Sequence, residues 1–504
     1  MTGAQGAARA RHPARTLAAA GLGAGALLAA SLPPWGWWPL APVGAAGLAL
    51  SLANRSWSRR LLAGAAAGLG LYAPGLWWMT EFSAPGYVAS TLLEAGLVGL
   101  AMIAVPPGRG RHVAFPAALV AASAVGGHWP FGGLPLAGIA LGQAGGPLAP
   151  AARLGGDLLL VALVGGLGSA LAALLGAIAH FNPRAVLGPL AGLAAVVALA
   201  LGGAVSPAGS PVPGGVLRVA AVQGGGQRGL RAIYVDPQVP LDAHLAASAG
   251  VVRPVDLVVF PENVVNVDGP LAGSAQEQAV ADVARTLGAT TVAGVVTAAG
   301  ADHFRNAAVA WAPDGAVVAT YEKVHRVPFG EYVPLRGLVS RLADLSAVPR
   351  DAIAGQGPGV LATPAGRLGV MISYEVFFAD RARAAVSAGA EVLLVPTNAS
   401  SYTTSQVPAQ ELAAARLRAI ETGRDLVQAA PTGFSAVVDA QGRVRHRSRL
   451  GSSAVVQATV TRRHGRTPAT RLGDGPLVVA GLAALALVWV RSRYAHPEGR
   501  SDRE

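Results

Sequence analysis

Three apolar segments of this chain end on polar side chains that a strand has no structural use for. DLVVFPE ends on Glu262, AVVATYEK on Lys323, and GVMISYE on Ser373, Tyr374 and Glu375. In open α/β sheets, groups just beyond the strand ends converge on one crevice. A carboxylate, an ammonium and a hydroxyl meeting there can act as general base, oxyanion stabiliser and nucleophile. Each residue alone also has a plain reading: Glu262 as a turn or helix-capping carboxylate, Lys323 as a solvated cation beside Glu322, and Ser373 as a packed serine.

Composition narrows the chemistry. The 504 residues contain no cysteine, which rules out disulfides, thiolate metal sites and a cysteine nucleophile together. The histidines form no HExxH or other tight ligand cluster, so neither a metal nor a cofactor is expected. Of 39 basic residues only position 323 is lysine. Arginine cannot release a proton near neutral pH, whereas an ammonium is compact and tunable, so a sole lysine at a strand end points to a specific task. The net charge of +12 does not indicate nucleic acid, because many of the arginines lie in short loops between apolar runs and they are not clustered on a basic face with interleaved aromatics.

The elements that must position these residues fall into two kinds. With 52% hydrophobic and 13% charged residues, part of the chain belongs in lipid. A spanning helix needs about 20 apolar residues. Seven candidates lie near 16–32, 38–53, 61–79, 89–106, 113–126, 157–180 and 185–204, and an eighth covers 474–490. The fifth runs into a Gly, Pro and Trp-rich stretch, 126–150, with the character of a re-entrant or interfacial segment. The Ala and Gly density of the helices predicts close packing. Arg9, Arg11 and Arg15 precede the first span; Arg55, Arg59 and Arg60 follow the second, Arg109 and Arg111 the fourth, Arg184 the sixth, and Arg491 and Arg493 the last. The short loops after the first and third spans carry no Lys or Arg, so both termini are expected in the cytoplasm and the segment between the last two spans outside. The Arg-led N-terminal run is read as an uncleaved first helix, not a signal peptide. Trp35, Trp37 and Trp38 suit an interfacial belt.

Residues 205–473 read as a water-exposed domain. Strands are predicted at 216–223, 256–262, 290–296, 306–312, 316–324, 367–375, 391–398 and 453–460, and helices near 274–288, 379–389 and 408–424. Alternation of the two predicts an α/β layered domain, and APDGAV (312–317) a hairpin within it. GGGQRG (224–229) fits a dinucleotide fingerprint in form only, because the Asp-Pro step that follows is expected to break the helix such a site requires.

The order Glu, Lys and nucleophile, each after an apolar strand, resembles the nitrilase superfamily. The segment YEKVHRVPFGEYVP (321–334) closely resembles a signature of apolipoprotein N-acyltransferases, and ISYE (372–375) resembles that family's ICYE. VLRVAAVQGG, FPEN, the TN of VPTN and QELAAARLRAIETGRDLVQAA follow the family as well. The resemblance covers essentially the whole chain. It implies an α-helical membrane bundle of about eight spans (1–204 and 474–504) carrying a nitrilase-like αββα sandwich (205–473) on the outer face of the bacterial cell membrane. It further implies acyl transfer from a membrane phospholipid to the amino terminus of diacylated apolipoproteins. Carried over, Glu262 is the general base, Lys323 the oxyanion-stabilising cation, Ser373 the residue at the nucleophile position and Glu331 a support for the lysine. Tyr374 and Glu375 shape the acyl pocket and brace the nucleophile turn.

The chain departs from the family in three places. Serine replaces cysteine at 373, TNASSYTT replaces an acidic and aromatic loop, and GGGQRGLRAIY lacks the expected aromatic. A hydroxyl needs a well-placed base at the moment of attack, where a thiol is partly ionised already. Either the site runs serine chemistry through an ester, or transfer is lost and the chain serves as a membrane scaffold, for instance for an envelope glycosyltransferase. A membrane-tethered amidase is the third alternative.

Overall fold

The computed structural model describes residues 3–108, 110–229, 235–341, 344–346 and 348–494. Arg109, residues 230–234 of the glycine-rich loop and the tail after Tyr494 lie outside the described residues, as do the side chains of Arg9, Arg11 and Arg493. The chain divides into two compact units, residues 1–205 with 472–504, and residues 206–471.

The first unit is helical: α1 (Gly3–Ala30), α2 (Leu40–Ser51), α3 (Trp57–Gly75), α4 (Ala84–Ile103), α5 (Arg111–Gly126), α6 (Ala152–Ala179), α7 (Leu187–Val205) and a C-terminal helix, Gly475–Tyr494. Among the described residues, four segments are long and apolar enough to cross a membrane: 84–103, 149–179, 183–205 and 475–492. Ala14–Ala30, Leu40–Ser51 and Arg111–Gly126 are shorter apolar helices. Small residues let the backbones touch: a Cβ on Gly25 would overlap the Ala67 carbonyl, and one on Gly70 the Leu22 carbonyl. The sixth predicted span begins later than the helix does, because α6 is broken at Gly155 and Gly156 and only straightens from Asp157. The 126–150 stretch folds as turns around a buried 3-10 segment, Ile139–Gln143.

The second unit is built from β1 (Ser210–Gln223), α8 (Gln238–Ser248), β2 (Leu257–Val259), β3 (Val265–Val267), α9 (Ala275–Leu287), β4 (Thr290–Ala298), β5 (His303–Trp311), β6 (Val317–Glu322), α10 (Arg336–Val339), β7 (Asp351–Ala352), β8 (Val360–Thr363), β9 (Gly366–Val370), α11 (Ala379–Ser387), β10 (Val392–Pro396), α12 (Gln406–Thr422), β11 (Leu426–Ala429), β12 (Ala436–Val438), β13 (Val444–Arg447) and β14 (Ala454–His464). One sheet runs β14-β1-β2-β4-β5-β6, with β3 on β4 and β7 on β5; the other runs β13-β12-β11-β10-β9-β8.

Period-two burial makes the layers. Leu217, Val219 and Ala221 of β1 join Val370, Leu394 and Val427 of the other sheet in the central core. Ala220 and Val222 point the opposite way, onto Leu241 of α8 and Val280 and Ala284 of α9. On the far side α11 packs on β9, and α12 on β11 and β12. The result is the four-layer αββα sandwich expected. Its helices begin where the sequence signals them: the Ser274 hydroxyl accepts from Glu277 N at 3.1 Å, and Gly288 closes α9 at φ 63°.

One expectation needs correction. The strands that bear the site are shorter than the apolar runs, β2 ending at Val259 and β9 at Val370, because Pro261 cannot donate to a ladder and residues 373–377 coil into a 3-10 turn. The Asp236–Pro237 step leads into α8, with Asp236 Oδ1 accepting from Gln238 N at 2.9 Å, and the described residues 224–229 carry no helix.

Gly294 of β4 lies against the end of β2: a Cβ there would sit 2.5 Å from both Glu262 Cα and Pro261 O, backbone atoms that cannot swing aside. Gly294→Ala should therefore cost roughly 1–3 kcal/mol, as overpacking does. An unchanged thermal midpoint of the detergent-solubilised variant would refute that packing.

Candidate active site

Glu262, three residues past β2, Lys323, one residue past β6, and Glu331, in the loop that follows, come together out of water. Lys323 Nζ donates to Glu262 Oε1 and Glu331 Oε1, both at 2.8 Å. The Lys323 and Glu262 side chains are 2% and 5% exposed, so bulk solvent does not screen the contact. Glu331 is fixed from its other end, where Oε2 accepts from Val327 N at 2.8 Å.

A fourth member was not anticipated. Asn306 of β5 donates Nδ2 to Glu262 Oε1 at 2.8 Å and to Glu331 Oε1 at 2.9 Å, so amide and ammonium clamp the same two oxygens. Burial pushes the Glu262 carboxyl above its ordinary value; the Lys323 charge opposes this and Glu331 adds to it. Burial also works against the ammonium, but the two carboxylates outweigh it and hold Lys323 above its ordinary value. Lys323 is therefore a fixed, dry cation, suited to receiving an oxyanion.

Ser373 opens the turn after β9 at φ +50°, in the left-handed region where a side chain costs about 1–3 kcal/mol. Glu375 holds that turn. Its Oε2 accepts from Ile372 N at 2.8 Å. Its Oε1 accepts from Val324 N at 2.8 Å and His325 N at 3.1 Å. The Tyr321 hydroxyl, 2.8 Å away, donates to it as well. One fully buried carboxylate thus fastens the serine turn of one sheet to the residues on either side of Lys323 on the other. Burial beside Glu375 raises the Tyr321 phenol above its ordinary value, so it remains a donor. Tyr374 packs on the rings of Phe377 and Phe378, with centroids 6.3 and 5.0 Å away.

Two more residues reach the serine. Thr397, just past β10, is placed to donate to Glu411 Oε1 at 2.6 Å and, more distantly, to Ser373 Oγ at 3.3 Å. Glu411, on α12, is pushed up to about 7 by burial, with Glu262 raising it further and the Thr397, Lys323 and Ser373 groups pulling it back. Glu375, which accepts from Ile372 N beside Ser373 and from Val324 N beside Lys323, brings the serine turn and the lysine segment next to each other. Among the described residues no cluster of three or more His, Asp or Glu could hold a metal. A base, a cation and a hydroxyl on a strained turn together suit acyl transfer through a covalent intermediate.

Residues 218–467 match the carbon-nitrogen hydrolase family, and residues 24–171 match the apolipoprotein N-acyltransferase N-terminal domain. The chain is 33% identical to an apolipoprotein N-acyltransferase of Azotobacter vinelandii, over 94% of each chain. It is 31% identical to one of Mycolicibacterium smegmatis, over 93% of this chain and 84% of that one. Among solved structures, an amidase from Nesterenkonia sp. aligns with 54% of this chain and 99% of its own, at 23% identity and a TM-score of 0.38.

Lys323→Met would leave Glu262 and Glu331 as buried like charges. At pH 8 it should destabilise the protein by about 3–5 kcal/mol, the cost of breaking a buried pair. Without the ammonium the Glu262 carboxyl, already above its ordinary value, rises further above its unfolded value. Stability is then retained near pH 5, where Glu262 takes up its proton, and lost as pH climbs through the raised folded value. Thermal midpoints at both pH values check this; an equal loss at each would disprove it.

Proposed function

Since the chain belongs to the apolipoprotein N-acyltransferase family, we propose that it moves an acyl chain from a membrane phospholipid to the α-amine of the diacylglyceryl-cysteine of apolipoproteins, by way of an ester on Ser373. The observation that carries this reading is the buried Glu262–Lys323–Glu331 cluster, latched by Glu375 to a serine held at positive φ.

In the first half-reaction Ser373 Oγ attacks the phospholipid ester carbonyl. Charge develops on the carbonyl oxygen, which the Lys323 ammonium stabilises, and the lysophospholipid alkoxide leaves with the proton that Ser373 has shed to a carboxylate base. In the second half the lipoprotein amine attacks the Ser373 ester, Glu262 takes the amine proton, an amide forms and the serine is regenerated. Each half needs one base and one cation, and no soluble cofactor enters. Tyr374, with Phe377 and Phe378, offers an apolar wall for the acyl chain.

The apolar helices support residence in the bacterial cell membrane. The arginines after the second, fourth, sixth and last helices support cytoplasmic termini and a catalytic unit on the outer face, where donor lipid and anchored acceptor are both at hand.

Intact mass of the protein purified from membranes tests this. The wild type should carry an acyl-sized adduct that Ser373→Ala lacks, and Ser373→Cys should raise transfer by about tenfold or more, since the thiol is the better nucleophile. No adduct, together with normal lipoprotein N-acylation in a deletion strain, would overturn the reading in favour of a membrane scaffold.

A further inference from the structure

One buried carboxylate at the serine has no part in the steps above. Glu411 is 3% exposed, and its Oε2 has no hydrogen-bond partner among the described residues. Its Oε1 takes the Thr397 hydroxyl at 2.6 Å, while Thr397 Oγ1 is 3.3 Å from Ser373 Oγ. A threonine hydroxyl has one proton to give and two lone pairs. Thr397 is placed to donate to either oxygen but has one proton; an ionised carboxylate can only accept and its contact is the shorter, so with Glu411 ionised that proton goes to Glu411 and the Ser373 hydroxyl must turn its own proton onto a Thr397 lone pair. Burial alone does not account for the set: a carboxylate sealed from water and left half-satisfied is costly unless it has a task.

We propose that Glu411, acting through Thr397, is the base that activates Ser373. This inference rests on the reading of Ser373 as nucleophile. As Ser373 Oγ bonds to the acyl carbon, its proton passes to Thr397 Oγ1, the Thr397 proton passes to Glu411 Oε1, and the carbonyl π pair moves onto the oxygen beside Lys323. When the bond to the leaving oxygen breaks, that oxygen takes a proton from Thr397, which Glu411 resupplies. Glu262, whose Oε1 is engaged by Lys323 and Asn306, is left to the amine proton of the second half-reaction. A base ionising at about 7 matches the requirement of a hydroxyl attack near neutral pH.

Full-length protein labelled with an alkyl fluorophosphonate, followed by intact mass between pH 5 and 9, reads serine activation without any lipid. The wild-type rate should rise through about pH 7 to a plateau. Glu411→Gln and Thr397→Val should each label at least about a hundredfold more slowly, the usual scale of a lost general base, and Glu411→Gln should lose the limb near pH 7. Thr397→Ser, which keeps the hydroxyl, should retain the rate. In a Ser373→Cys background, where the thiol ionises unaided, Glu411→Gln should change iodoacetamide alkylation by no more than about threefold. An inert wild-type Ser373 overturns the relay. So does a Glu411→Gln rate within about threefold of wild type, or an equal loss in the cysteine background, which marks a structural role. Acylation by phospholipid vesicles, measured in parallel, separates the two readings: its absence beside Glu411-dependent labelling removes the lipid donor and supports the relay.

Discussion

A single ammonium sealed from water is the constraint on which the site depends. Lys323 has two carboxylate partners at 2.8 Å and almost no exposure. In a dry setting its charge can neither be lost to solvent nor released as a proton, so it must be compensated where it stands. That requirement draws in elements distant in the chain: the end of β2 with Glu262, the end of β6 with the lysine, the following loop with Glu331, and Asn306 of β5, which ties the two acceptors to each other. The sheet order places β2, β4, β5 and β6 in succession, and the ion cluster spans it at one edge. Arginine would not substitute there, because its fork needs more room and more acceptors than two carboxylate oxygens and an amide leave.

The second sheet is registered against the first by an interaction of the opposite sign. Glu375 collects the backbone donors just past Lys323, the Tyr321 hydroxyl before it and the Ile372 amide of the serine turn. A carboxylate accepting several such bonds is rigid and well satisfied, and it offsets the left-handed φ imposed on Ser373. The strain and its brace lie three residues and fewer apart. Moving either sheet by a residue would break both, so the distance between ammonium and hydroxyl is set by packing and not by flexible loops.

Much of this was legible in the chain. Glu262, Lys323, Ser373 and Glu375 stood out because an apolar run ending on a charge is rare unless the charge has somewhere to go, and the lone lysine singled itself out. Eight strands and three helices were anticipated, whereas β3, β7, β8 and β11 to β13 were not, being two to four residues long and too short for alternation to register. Asn306 was hidden at the start of NAAVAWA, where a polar residue opening a strand looks ordinary. Glu411 was hidden for a different reason. On a helix a carboxylate is normally on the solvated face, but α12 buries Gln410, Glu411, Arg418 and Glu421 together, and periodicity cannot tell a polar face turned to water from one turned to a site.

The replacement of cysteine by serine at 373 is best understood from the charge balance of the whole pocket. A thiolate brings its own negative charge and needs mainly a cation nearby. A serine must shed its proton as it attacks, and the acceptor must be ionised while carrying as little other work as it can. Glu262 and Glu331 have their Oε1 oxygens held by Lys323 and Asn306, so protonating either would weaken the pairing that keeps the cation in place. Glu411 is not bonded to the lysine; it feels Glu262 and Lys323 only through space, and the negative neighbour raises its affinity for a proton. The same field that stabilises an oxyanion at Lys323 therefore leaves Glu411 as the carboxylate whose protonation costs the pocket least. On the proposed reading, oxyanion stabilisation and proton removal fall to separate groups, as a hydroxyl nucleophile requires and a thiolate does not.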